Sequence, residues 1–250
     1  MAVAATVVAS LAAYGGTALA TSPAPAEHVA DARVDITNLD SVKERIRAYY
    51  GDNTDAEGEH HASDDSQWAN EVRKADTRAL SYVQQRVKRG AEKPAIVLDI
   101  DDTALSTYDY GANNDFAYHS DAALAQAMTK SFPAIAATRD LAVWAHDHGV
   151  AVFFVTGRPE VLRTVTETNL DEAGYPAPDG LFTSPDAASL PGYLHCTGSC
   201  TTTQYKAGTR AHLEAKGYNV LLSLGDQDSD LRGGHTDATF KLPNPGYIIP

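Results

Sequence analysis

The sequence predicts an α/β fold: a Rossmann-like parallel sheet with helices on both faces, preceded by N-terminal helices and carrying a small helical cap insertion. Three observations predict it. From Pro94 onward, short apolar runs alternate with helical stretches, which is the pattern of βαβ units. The runs are apolar along their length, as strands covered on both faces are. The chain of 250 residues, 43% apolar and 21% charged, is also long enough to bury one substantial core.

Each element has its own signal. Strands are placed at Ala95–Ile100, Val150–Val155, Leu181–Phe182 and Val220–Leu224, with a late one near Phe240–Leu242. The helices among them are Pro133–His148, Pro159–Ala173 and Thr202–Lys216. Pro159 suits a first helical position, and Gly149, Gly174 and Gly217 suit helix ends. Thr201 and Gln204 have the spacing of a capping box. Upstream, Asn38 caps a segment whose Val42, Ile46, Tyr49 and Tyr50 are apolar and which Gly51 stops. A second helix runs from about Ser66 to Lys88, with Trp68, Val72, Ala75, Ala79, Val83 and Val87 on one face. Between the two, GDNTDAEGEHHASDD reads as a polar acidic loop, and its His60 and His61 as solvated histidines rather than a metal site.

Charge and termini narrow the function classes. The formal net charge is -13, and the 20 Lys and Arg form no basic stripe, which argues against nucleic acid as a partner. A small phosphorylated substrate is compatible, because a bound cation and a few placed donors reverse the field locally. Residues 1–20, MAVAATVVASLAAYGGTALA, read as an export signal that is apolar and closes on Ala18-Leu19-Ala20, although no Lys or Arg precedes the apolar stretch. The stretch is at the short limit for a membrane span, and no cysteine follows it to carry lipid. The expectation is a secreted protein with no stable membrane anchor. Residues 21–37 form a Pro-containing lead, and 38–250 a single domain with the cap insertion at about 106–132. Export places Cys196 and Cys200 where disulfides persist, so they are expected to pair. A zinc ion held by His195, Cys196 and Cys200 is the alternative.

In open α/β sheets, ligands bind beyond the carboxyl ends of the strands, and the motifs sit there. AIVLDIDDTAL delivers Asp99, Asp101, Asp102 and Thr103 to a strand tip. Crowded carboxylates are tolerable where a divalent cation collects them, and hard oxygen ligands suit Mg²⁺; an acidic exposed turn is the plainer reading. VFFVTGRPE brings Thr156 and Gly157 to a strand end just before a helix, where a hydroxyl and free backbone N–H groups hold anions. TTTQYKAGTR places Lys206 in the second turn of a helix. LLSLGDQDSDL sets Asp226, Asp228 and Asp230 after a strand. A calcium loop fits it poorly, because Leu231 stands where that loop needs glycine.

In this order, the motifs resemble the haloacid-dehalogenase superfamily of phosphotransferases. DIDDTALS, VTGRPE, YKAGTR, GDQDSDL and the C-terminal FKLPNPGYIIP resemble more closely its subfamily IIIB acid phosphatases, a group that includes bacterial secreted or lipoprotein phosphatases and the plant vegetative storage proteins. The resemblance runs from about Asn38 to Pro250 and implies a Mg²⁺-dependent acid phosphatase acting on small phosphomonoesters. It implies that Asp99 is the nucleophile and a Mg²⁺ ligand. Asp101 becomes the general acid and base, and gives the metal its backbone carbonyl. Thr156 holds a phosphoryl oxygen, with Gly157 beside it. Lys206 neutralises the nucleophile and the transferring group. Asp226 is the third protein ligand of Mg²⁺, and Asp230 supports the metal waters or the lysine. Asp102 and Asp228 receive no role.

The chemistry is coherent without the family. An ionised carboxylate attacking phosphorus splits a hard hydrolysis into two displacements. A second carboxyl two residues on can protonate the leaving alkoxide and then deprotonate water. Substrate choice is expected to lie in the cap, where Tyr108, Tyr110, Phe116 and Tyr118 are available either to stack on a ring or simply to pack. Two other readings differ in class. One is a storage or binding protein on this fold, against which Asp99, Asp101, Lys206 and Asp226 all stand. The other is a transferase passing phosphate to alcohols, which added acceptors would reveal.

Overall fold

The computed structural model describes residues 36–129 and 131–249. The expected export signal (residues 1–20) and nearly all of the expected lead (21–37) lie outside the described residues. By contacts, Asn38–Pro250 forms one unit.

Two helices come first. Helix α1 (Leu39–Tyr50) is capped by the Asn38 side chain and ends on Gly51, whose φ of 61° is the left-handed conformation glycine adopts without a Cβ penalty. A short hairpin follows, β1 (Asn53–Thr54) antiparallel to β2 (His60–His61). The two histidines are therefore not solvated loop residues. They are half-buried and hydrogen-bonded to carboxyl groups: His60 Nδ1 lies 2.7 Å from Asp52, and His61 reaches Asp55 at 2.8 Å and Asp109 at 3.2 Å. Helix α2 (Gln67–Lys88), capped by Ser66, buries Trp68, Val72, Ala75, Ala79 and Val83, the face its periodicity predicts.

Strand β3 (Pro94–Leu98) is central. The cap insertion after it holds α3 (Tyr108–Asn113) and α4 (Ser120–Thr129). Then come α5 (Ala136–Asp147), β4 (Ala151–Pro159), α6 (Arg163–Glu172), β5 (Gly180–Ser184), α7 (Thr202–Ala215), β6 (Asn219–Gly225), α8 (Asp228–Leu231) and β7 (Ala238–Lys241). All five sheet strands are parallel, in the order β5-β4-β3-β6-β7. Alternate side chains face opposite layers. Ala95, Val97, Phe153 and Val155 pack with Tyr205 and Leu213 of α7, while Ile96, Leu98, Val152 and Phe154 pack with Val72 and Ala79 of α2 and Leu141 of α5.

Two helix starts differ from expectation. The chain around Pro133 is held in backbone pairing, Ser106 N–H to Pro133 O and Ile135 N–H to Ala104 O, so α5 begins only at Ala136. After Val155 the register of β4 on β5 shifts and Pro159 pairs with Ser184, which extends the strand through Thr156 and Gly157. A 3₁₀ turn over Glu160–Leu162 then precedes α6. Thr156 and Gly157 thus lie on the strand rather than at a helix N-terminus. Among the described residues no helix is long and apolar enough to cross a membrane.

Candidate active site

The site forms where β3, β4 and β6 end. Asp99 is the first residue after β3, and its N–H still donates to Leu224 O of β6 at 3.0 Å. That ladder bond fixes the buried carboxyl beside Lys206, which α7 projects inward from behind the sheet. Lys206 is 4% exposed; its Nζ donates to Asp99 Oδ1 at 2.6 Å and also to Asp230 Oδ1. Burial works against the ammonium, but the charges of Asp99 and Asp230 outweigh it and hold the lysine above its ordinary pKa.

Asp226, just past β6, is held by contacts that include Lys241 Nζ donating to its backbone carbonyl. Gln227 Nε2 and Asn244 Nδ2 each donate to it at 2.6 Å, Thr103 Oγ1 donates at 3.3 Å, and its own N–H donates back to Thr103 Oγ1 at 3.1 Å. Asn244 belongs to the C-terminal segment after β7, which Trp68 Nε1 ties to α2 through Pro243 O at 3.0 Å. Asp230 accepts from Gln227 N–H at 2.8 Å, and its backbone carbonyl accepts from Ser223 and Arg210. Gly225 makes that approach possible: a Cβ there would lie 2.3 Å from the Cβ of Asp230.

The structure brings Asp99, Asp226 and Asp230 together, with carboxylate oxygens within 4.8 Å of one another. With all three carboxyls ionised, one lysine would leave an excess of two negative charges in a buried site. Burial and the charge of Asp230 push the Asp99 and Asp226 carboxyls above their ordinary pKa, although Lys206 pulls both down and Asn244 and Gln227 oppose the shift at Asp226. A hard-oxygen donor set with this charge excess suits a divalent cation such as Mg²⁺.

Asp101 is not in that cluster. Arg158, buried at the end of β4, grips it with Nε at 3.1 Å from both oxygens and Nη2 at 2.7 Å from Oδ1. Arg158 is locked in turn by Nη1 on Thr166 Oγ1 at 3.0 Å. Thr156 is fully buried, and its Oγ1 accepts the Arg158 N–H at 3.1 Å. A Cβ on Gly157 would meet nothing within 4 Å, so open space adjoins Gly157, the residue after Thr156. Asp102, left without a role, is buried and bonded to Thr107 N–H and Oγ1 at 2.8 and 2.6 Å; it ties the acidic turn to the cap. Asp228 is exposed and pairs with Arg232, outside the site.

Sequence reasoning missed Arg158, Asn244, Gln227 and Arg210. Arg158 and Arg210 were visible as the basic residues of VTGRPE and YKAGTR, but nothing local shows that they turn inward. Of the cap aromatics, Tyr108 is packed against Tyr50 at 4.4 Å with its hydroxyl on Asp52, and Phe116 lies under the Arg47 guanidinium. Tyr118 is 78% exposed. Cys196 and Cys200 are joined as a disulfide, just before the Thr201 cap of α7.

A parallel sheet that gathers carboxylates, one lysine and one arginine at its carboxyl edge is built to handle an anionic group. The chain matches the family model of the HAD superfamily, subfamily IIIB (acid phosphatase), over residues 52–250, and it belongs to that family. It is 39% identical over 104 residues to the stem 28 kDa glycoprotein of Glycine max, covering 40% of this chain and 37% of that protein. Vegetative storage protein 1 of Arabidopsis thaliana is 26% identical over 86% of this chain and 74% of its own length. Acid phosphatase 1 of Solanum lycopersicum is 30% identical over 61% and 58% respectively. The fold is shared with the class C acid phosphatase of Bacillus anthracis, with a TM-score of 0.60, 17% identity and 83% and 86% coverage; that enzyme has also been solved with tungstate bound.

Proposed function

We propose that this acid phosphatase hydrolyses small phosphate monoesters through a phosphorylated Asp99. The observation that carries the reading is the buried Asp99–Lys206–Asp230 ion cluster at the tip of β3, with Asp101 two residues on and held apart from it by Arg158. Magnesium would be held by Asp99, Asp226 and the backbone carbonyl of Asp101, with Asp230 in support. Bound there, it would supply positive charge against the phosphoryl oxygens.

The chain's own groups perform the rest. A carboxylate oxygen of Asp99 attacks phosphorus, and the bond to the leaving oxygen breaks. Lys206 and the open backbone beside Thr156 offset charge on the transferring oxygens, where preorganised donors contribute most. Asp101 gives its proton to the departing alkoxide. In the second step Asp101 takes a proton from water, whose oxygen attacks the aspartyl phosphate, and phosphate and Asp99 are released. An arriving phosphate offers the Arg158 guanidinium a second anion beside Asp101. The tungstate of the Bacillus anthracis enzyme, a tetrahedral oxyanion, supports a phosphoryl subsite on this fold. Export of the mature chain belongs to the same proposal, as does its construction as one domain with a cap.

Acid quench and mass spectrometry test the mechanism. Asp101→Asn given p-nitrophenyl phosphate should accumulate a phosphoryl group on Asp99, because a good leaving group needs little protonation while water attack lacks its base. Asp99→Asn should accumulate none. Phosphate trapped on Asp101, or on a histidine such as His195, would overturn the assignment. The likeness to a vegetative storage protein supports a second reading, storage without turnover; a wild-type chain inactive on nucleotides, sugar phosphates and aryl phosphates alike would favour it.

A further inference from the structure

A cavity of about 450 Å³ opens between α2, the segment after β2 and the start of α5. None of Asp99, Asp101, Thr156, Lys206, Asp226 or Asp230 lines it. Its volume falls in the range that small organic ligands occupy. Val72, Leu80, Ile135, Ala136 and Ala137 give it apolar walls, and Asp76 reaches it from the middle of α2.

Asp76 is 2% exposed. Its Oδ2 accepts the Thr138 hydroxyl from α5 at 3.2 Å, while Oδ1 has no hydrogen-bond partner among the described residues. Leaving a buried acceptor unmatched is unfavourable, the more so for a charged one. Burial pushes this carboxyl up to about 7, opposed by Thr138 and reinforced by the charge of Asp140. The cationic side chains lining the cavity are directed elsewhere: Arg73 donates to Asp64 O at 2.9 Å and to Asn70 Oδ1 at 2.7 Å, and the ring of His61 spans Asp55 and Asp109. The helix-packing face therefore carries an apolar hollow, one carboxyl oxygen wanting a donor, and a second carboxylate, Asp140, on the lining.

We propose that this cavity binds a small amphipathic cation, with an aliphatic body on the apolar wall and a primary ammonium on Asp76 Oδ1. An ammonium supplies both the missing donor and a charge that ionised Asp76 attracts, with a smaller pull from Asp140, which is exposed and already paired with Arg139 at 3.2 Å. An alcohol supplies the donor alone, and an anion is repelled by both. The site uses no residue of the phosphatase mechanism and stands apart from that reading.

Calorimetric titration of the full chain tests it, with Mg²⁺ in excess so that the acidic cluster at the strand ends does not compete for amines. n-Hexylamine should bind at one site per chain, n-hexanol at least tenfold more weakly, and hexanoate not at all. Asp76→Asn should weaken hexylamine at least tenfold. Ala136→Leu, which fills the hollow and leaves the carboxyl in place, should abolish binding in a chain whose circular dichroism is native. Equal affinity for hexanol and hexylamine would overturn the proposal. So would an affinity that Ala136→Leu leaves unchanged, or the absence of any heat with the wild-type chain.

Discussion

Asp101 and Arg158 form the pair in which charge and geometry are hardest to separate. A guanidinium grips a carboxylate through a rigid fork that an ammonium cannot copy. Arg158→Lys keeps the charge and loses the fork, so kcat on alkyl phosphates is expected to fall at least tenfold. The loss should be smaller on p-nitrophenyl phosphate, whose leaving group depends less on Asp101; equal losses on both would mean that Arg158 only binds phosphate. Gly225→Ala is expected to be as damaging from outside the chemistry, because its Cβ would overlap the side chain of Asp230 on rigid strand backbone. Asp76 gives a pH prediction. Its folded pKa of about 7 lies above its ordinary 3.8, so the native state holds the proton more tightly than the unfolded chain. Its contribution is fully present below about pH 4 and is lost as pH rises to about 7, up to about 4 kcal/mol across the window. Denaturant melts should therefore show Asp76→Asn gaining on wild type as pH rises from about 4 to about 7, and levelling off above that. A constant difference between the two would refute it.

At the scale of elements, the loop that carries Asp230 depends on a residue that never reaches the site. Arg210 of α7 is fully buried and donates to three backbone carbonyls, those of Asp230, Arg232 and Gly234. Arg210→Met keeps the stem but removes the side-chain donor from the Arg232 and Gly234 carbonyls and leaves Asp230 O with Ser223 alone. It should cost about 3–5 kcal/mol by thermal unfolding and lower turnover through a displaced Asp230. The Cys196–Cys200 loop is too short to contribute more than about 2 kcal/mol on the chain-entropy account. The elements themselves were legible wherever one local cause decided them. The α2 face, the Thr201 capping box and the apolar runs of β3, β4 and β6 lie where periodicity and capping chemistry put them. Extension of β4 through Thr156 was not legible, because its cause is pairing with Ser184, 25 positions beyond Pro159. The bond of Asn244 to Asp226, 18 positions apart, is also nonlocal, and that of His60 to Asp52 depends on the β1–β2 hairpin forming between them. The acidic residues of the site could be read because their crowding is itself anomalous, whereas an arginine that turns inward looks on paper like any other surface arginine.

For the whole molecule, the candidate site is a source of instability as well as of chemistry. A chain with a net charge of -13 gathers three carboxylates in its interior around one lysine, and self-repulsion there opposes folding. A divalent cation that binds only the folded state should reverse this, adding about 2.7 kcal/mol at a hundredfold excess over its Kd. The melting temperature should therefore rise with Mg²⁺, and exhaustive EDTA treatment should lower it and abolish turnover together. Asp226→Asn separates the two effects. It removes one negative charge while its amide can still pair with Gln227 or Asn244, so without metal it should melt at or above the wild-type temperature. In excess Mg²⁺ the order should invert, because the wild type gains stability and the variant does not. Calorimetric scans of both chains, with and without Mg²⁺, give the four melting temperatures required. An Asp226→Asn chain that gains as much from Mg²⁺ as wild type would place the metal elsewhere, and full activity after EDTA would remove it from the reaction.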